Sequence, residues 1–183
     1  MASAIISNFV STASTTFELR LSDAIHQAAT PFTEDKTQTG SGSKFRLKTP
    51  AVNNSAATKY LSFIWHVPAG YVANSTITVT LTGHVDVVPN VSKTIDLEAW
   101  KMAVSDGTVG GADLCGTAAQ ALTNASADYA FTLTTPTLSP GDRILFNVAV
   151  ALDDTGGSGD KFGFVSRIRG SSTFYGALSA TGV

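Results

Sequence analysis

The chain has 183 residues, 43% of them apolar and only 14% charged, with a net charge of −2 at neutral pH. That length suits one domain able to bury most of its unfolded surface, and the apolar share excludes wholesale disorder. No basic run occurs, which disfavours phosphate-backbone recognition, and no apolar run approaches the ~18 residues of a membrane span. A single cysteine, Cys115, rules out an intrachain disulfide and a cysteine-based zinc site, and is read as a buried structural thiol. The start lacks a basic stretch followed by a long apolar one, so a secretory signal is not expected and synthesis in a host cytoplasm is.

In chain order, residues 1–16 are hydroxyl-rich and carry few apolar anchors: Ile5, Ile6, Phe9 and Val10. They are expected to form an extended N-terminal arm that contacts other subunits through those four side chains, because ordering sixteen residues costs ~1–2 kcal/mol each without a partner to cover them. From residue 17 onward, period-two alternation recurs and period 3.6 nearly vanishes. Phe17, Leu19 and Leu21 share one parity, and "SDAIHQAA" offers one or two helical turns at most. Phe45 and Leu47 alternate with Lys44, Arg46 and Lys48. Leu61, Phe63, Trp65 and Val67 follow, then Ile77, Val79, Leu81, Val85 and Val87, with threonines, His84 and Asp86 opposite and Gly83 marking a bend or bulge.

"TIDLEAWKMAV" changes parity: Ile95, Leu97 and Ala99 on one side, Trp100, Met102 and Val104 on the other. A β-bulge near Ala99 would reconcile them. Tyr129, Phe131 and Leu133 form another face. The strongest comprises Ile144, Phe146, Val148, Val150 and Leu152, and the alternation returns through Phe162, Phe164 and Ile168, with "TFYGAL" as a last strand. Residues 138–170 are expected to be one antiparallel hairpin with its apolar side chains in the core and Asp153 and Asp160 exposed at the tip. Turn sequences such as "TGSGS", "VPAGY", "DGTVGG" and "LSPGD" separate eight to ten strands. This is an all-β pattern: an antiparallel two-sheet sandwich of jelly-roll topology spanning 17–183 behind the arm at 1–16.

No constellation of catalytic residues emerges. Asp154-Thr155-Gly156 is the triplet of aspartic proteases, but Asp153 precedes it where that family has a small or apolar residue, and the later apolar-Gly-Arg segment is missing. Asp153, Asp154 and Asp160 offer oxygen ligands for calcium, yet their spacing fits neither an EF-hand nor a glycine-aspartate repeat. His26, His66 and His84 lie far apart, and His66 and His84, opposite the apolar parity, read as outward or interface side chains. Four Asn-x-Ser/Thr sequons, at Asn53, Asn74, Asn90 and Asn124, are the coincidence of a Ser/Thr-rich composition. Trp65, Trp100, Tyr60, Tyr71 and Tyr175 are the candidates for a sugar-stacking platform, with Trp65 placed in the core by its parity. No catalytic, cofactor-binding or metal-binding residue is assigned.

Leu138, Pro140, Gly141, Asp142 and the Ile144–Leu152 strand, followed by an Asp-rich loop and a closing strand, carry a resemblance. This last third of the chain is similar to the jelly-roll decoration or cement proteins of tailed bacteriophage virions. The resemblance implies a non-enzymatic structural protein on the capsid surface, a homotrimer that binds and stabilises the shell of major capsid protein. A carbohydrate-binding β-sandwich module, or a tail or fibre component, is the alternative.

Overall fold

The computed structural model describes residues 12–26, 31–37, 44–103, 109–134 and 137–175. Eleven strands are described: β1 (Thr12–Leu19), β2 (Ile25–His26), β3 (Thr33–Thr37), β4 (Lys44–Lys48), β5 (Ala56–His66), β6 (Ile77–Val85), β7 (Ser92–Met102), β8 (Gln120–Ala121), β9 (Ala127–Leu133), β10 (Arg143–Asp153) and β11 (Gly163–Tyr175). The segment after Leu21 makes a 3-10 turn, Leu21–Asp23, and then enters β2. One sheet runs β3-β4-β11-β6-β9, with β1 on β11 beyond β4; the other runs β2-β5-β10-β7-β8.

The pairing makes the sandwich a jelly roll. β4 pairs β11, β5 pairs β10, β6 pairs β9 and β7 pairs β8, all antiparallel, so the pairs nest like one long hairpin rolled over on itself. Each of the longer strands buries one parity. Ile77, Val79, Leu81, Phe131, Leu133, Val165 and Ile168 from one sheet meet Leu61, Phe63, Ile95, Leu97, Phe146 and Val148 from the other. Each such side chain contributes ~1.5–3 kcal/mol by leaving water.

Three expectations need correction. β10 and β11 do not form a hairpin: they lie in different sheets, and residues 154–162 carry the chain across the sandwich. Alternation reports that a strand has one buried face but not which sheet holds it, and a nine-residue connection spans the gap between sheets readily. Within that segment Ile144, Phe146, Val148 and Val150 are core, and Asp160 is exposed. Phe162 is only half-buried, Asp153 is half-buried rather than exposed, and Phe164 is covered on the outer face of its sheet. No bulge interrupts β7, which keeps unbroken register with β10 from Ser92 to Met102. Ala99 faces the core, Trp100 faces outward, and Met102 is covered by a bridge to Val109. Val104 lies outside the described residues.

The boundary at residue 16 falls inside β1, which pairs β11 from Thr12↔Tyr175 to Leu19↔Ile168. Thr12–Thr16 are exposed and add nothing to the core, whereas Phe17 stacks on Trp65 at 4.5 Å. Gly83 does mark a bulge, but the extra residue sits on β11, between Val165 and Arg167.

Candidate docking face

The outer face of the β2-β5-β10-β7-β8 sheet is set by register. Ser62, Asn147 and Glu98 lie in one row across β5, β10 and β7, and Ile64, Leu145 and Trp100 in the next. β2 adds Ile25 directly opposite Ser62. In the polar row the Ser62 hydroxyl donates to Asn147 Oδ1 at 3.0 Å, and Asn147 Nδ2 donates to Glu98 Oε2 at 3.1 Å. Such a ladder fixes its side chains, since each hydrogen bond polarises the next.

Beside it Ile25 is 51% and Ile64 37% exposed, while Leu145 and Trp100 are half-buried. An apolar row of Ile64, Leu145 and Trp100 therefore crosses three strands on the solvent side of the sheet, with Ile25 of a fourth diagonal to Ile64. A cleft of about 140 Å³ opens next to Ile64, between Leu19, Arg20 and Asp23. A second, of about 280 Å³, lies beside Lys101, lined by Gly110, Gly111, Leu114 and Leu138. Sequence reasoning named Trp100 as an aromatic but not as the end of this row; the unbroken register of β7 with β10, which the sequence does not show, places it there.

Of the other aromatics, Tyr60 is half-buried on the same outward parity, and Trp65 is in the core as expected. Tyr71 is also core, its hydroxyl donating to the Ser75 carbonyl at 2.8 Å, and Tyr175 is half exposed at the end of β11. The structure does not bring the five aromatics together. Ile5, Ile6, Phe9 and Val10 lie outside the described residues.

The acidic loop is a staple. Asp154 is fully buried; its Oδ1 accepts the Asn90 N–H at 2.9 Å and its Oδ2 lies 3.8 Å from Lys161 Nζ. That ammonium also donates to the carbonyls of Ser158 and Gly159, at 2.6 and 3.1 Å. The position where three glycine-loop oxygens converge is thus filled by the protein's own cation. A Cβ on Gly157 would meet Asp154 Oδ1 at 2.3 Å, so only glycine lets the carboxylate sit there. Asn54 and Asn90 tie the loop to its neighbours, accepting from the Gly156 N–H and donating to the Thr155 carbonyl. Thr155 donates to Asp153 from both hydroxyl and backbone, which holds that carboxyl below the usual range. Among the described residues no group of three or more His, Cys, Asp or Glu is placed to hold a metal ion. Cys115 is half-buried, and burial, with Asp113 and Asp96 nearby, pushes its thiol up and away from reactivity.

The Leu-x-Pro-Gly-Asp turn has its own lock. Asp142 Oδ2 accepts the Ser139 N–H at 2.7 Å and meets Lys101 Nζ at 2.7 Å. Burial pushes its pKa up, but the Lys101 hydrogen bond, the Ser139 N–H and the Lys101 charge outweigh it and hold the carboxyl below the usual range.

The sequence matches no protein-family model and no curated protein sequence. Solved structures share its architecture. The xylan-binding CBM22-1 domain of Paenibacillus barcinonensis Xyn10C is 11% identical, covering 92% of this chain and 97% of its own, with a TM-score of 0.49. TmCBM61, solved with β-1,4-galactotriose, is 12% identical over 89% of this chain and 88% of its own, with a TM-score of 0.43. The VP2 subviral particle of infectious bursal disease virus is 14% identical over 97% of this chain and 37% of that one, with a TM-score of 0.45.

Proposed function

We propose that this chain is a non-enzymatic structural subunit of a virion, a trimeric decoration or cement protein that docks on the major capsid protein through the outer face of its five-stranded sheet. The observation that carries this reading is the apolar row of Ile64, Leu145 and Trp100, with Ile25 diagonal to it, on the solvent side of the sheet. Isolated exposed apolar residues need no explanation, but a contiguous stripe on a flat sheet face loses free energy until another surface covers it. The sequence pattern of the Leu138–Asp142 turn and following strand supports the virion setting.

The test is co-sedimentation with capsids of wild type and Ile64→Glu, alongside light scattering to count subunits. Burying a side chain such as Ile64 contributes ~1.5–3 kcal/mol, so the substitution weakens particle binding by about tenfold or more. Equal occupancy of both proteins overturns the docking face.

A second reading, a carbohydrate-binding module, is favoured by one feature: Trp100 stands beside the Ser62–Asn147–Glu98 ladder, an aromatic next to fixed hydrogen-bonding groups. Retention on a polysaccharide column that Trp100→Ala abolishes would establish this reading in place of the first.

A further inference from the structure

We propose that Arg46, His84 and Phe164 form a pH-sensitive latch that holds the β3–β4 hairpin on the six-stranded sheet and releases it when His84 is protonated. This inference stands apart from the docking face and uses the opposite side of the sandwich.

The latch joins four strands. Arg46 on β4 donates from Nε to Asp35 Oδ2 on β3 at 2.6 Å, and its NH1 lies 2.9 Å from His84 Nε2 on β6. The guanidinium carbon sits 3.9 Å from the centroid of the Phe164 ring on β11, and the His84 ring stacks on the same phenyl at 4.8 Å, tilted by 13°. A guanidinium has only donors. His84 Nε2 must therefore accept, which fixes a neutral ring carrying its proton on Nδ1.

Among the described residues the main-chain pairing of this edge is short, and Thr49 extends it by exchanging hydrogen bonds with Gly163. β4 registers with β11 at two positions only, Phe164↔Lys48 and Val165↔Leu47, and among the described strands β3 pairs with β4 alone. Leu47 is the one side chain of β4 in the hydrophobic core. The side-chain stack thus adds to a short main-chain hold on a five-residue strand.

Protonation reverses the central contact, because Nε2 becomes a donor facing a donor and two cations meet at hydrogen-bond distance. The charged groups on the packed elements have contacts of their own. β4 presents Lys48, its ammonium over Phe162. Asp35 on β3 already accepts from Arg46. On β9, Asp128 is held by Arg169 of β11 and by Thr82. Asp86, just beyond β6, accepts the N–H groups of Val87 and Phe162, and Arg167 of β11 pairs with Glu18 of β1.

The closed latch holds the unprotonated ring and the opened one takes up the proton. Its stabilisation is therefore complete above the ordinary imidazole value of ~6.5 and is lost as pH falls. An acid compartment would then free the β3–β4 edge while leaving the core of the sandwich intact.

The test measures hydrogen exchange at the amides of Phe45, Arg46 and Leu47 in the full chain between pH 8 and 5, corrected for intrinsic rates. The His84 ring is titrated by NMR in the same samples. Protection at these amides should fall by up to about tenfold per pH unit as pH drops from the opened ring's ordinary ~6.5 toward the midpoint of the folded ring, one proton being linked to opening. His84→Gln, whose amide oxygen accepts from Arg46 but takes no proton, should show a flat profile. Constant protection across the titration of the ring overturns the latch, and so does a glutamine variant with the wild-type pH dependence. If the variant does not fold, the wild-type comparison decides alone: protection either falls between pH ~6.5 and the ring's midpoint or it does not.

Discussion

At the scale of single residues, two side chains do more than their sequence context suggests. Gly170 lies opposite Phe17 in the β1–β11 ladder, and a Cβ there would meet the Phe17 ring at 2.1 Å. The missing side chain is what lets Phe17 lie across β11 onto Trp65. Gly170→Ala should therefore destabilise the protein by ~1–3 kcal/mol in urea unfolding, the usual cost of overpacking. In a Phe17→Ala background the same substitution should cost nearly nothing, and an undiminished cost there would place the strain elsewhere. Asp142 locks the turn before β10 with a carboxyl held below its ordinary value. Its contribution is present above the ordinary aspartate value of ~3.9 and is lost as pH falls through the lower folded one. Asp142→Asn should cost ~1–3 kcal/mol at neutral pH, by weakening a charge-assisted hydrogen bond, and flatten the acid limb of a stability-versus-pH curve.

At the scale of elements, the loop between β10 and β11 shows how an acidic motif can be structural. Asp154 is fully buried against Lys161, and removing either partner strands a charge in the interior. Lys161→Met should cost ~3–5 kcal/mol in equilibrium unfolding, whereas the double change with Asp154→Asn should cost much less than the sum of the singles. Additive losses would show that the two groups act independently. β1 makes a related point. Its hydroxyl-rich first half reads as an arm, yet the backbone of Thr12–Thr16 pairs fully with Ser171–Tyr175. Strand pairing is made by main-chain groups and leaves little trace in side chains that face water.

At the scale of the whole molecule, the two sheet faces turned to solvent differ in chemistry. One carries the Arg46–Phe164–His84 latch and the Asp128–Arg169 and Glu18–Arg167 pairs; the other carries the apolar stripe beside a neutral-to-acidic ladder. Docking through the second face would leave the first free. If that holds, Arg167→Ala should bind capsids like wild type while Ile64→Glu binds about tenfold less or worse, and equal losses in the two variants would point to a global effect on folding.

The sequence by itself determined that the chain is all-β, that its longer strands each bury one parity, and many of the side chains that fill the core, though Phe45 and Val87 share those parities and are 40% and 50% exposed. Leu61, Phe63, Phe146, Val148 and Phe131 all lie where alternation puts them. It determined this because a pleated strand with one wet face writes its orientation in every second residue. Only the tertiary structure decided which sheet each strand joins, so β10 and β11 separated where a hairpin was expected. It alone showed that Trp100 ends a stripe rather than a bulge, that Lys161 fills its own loop, and that Arg46, His84 and Phe164 meet from three strands. Each of these depends on neighbours dozens of residues away in the chain, and local periodicity holds no record of which distant strand supplies the other half of a contact.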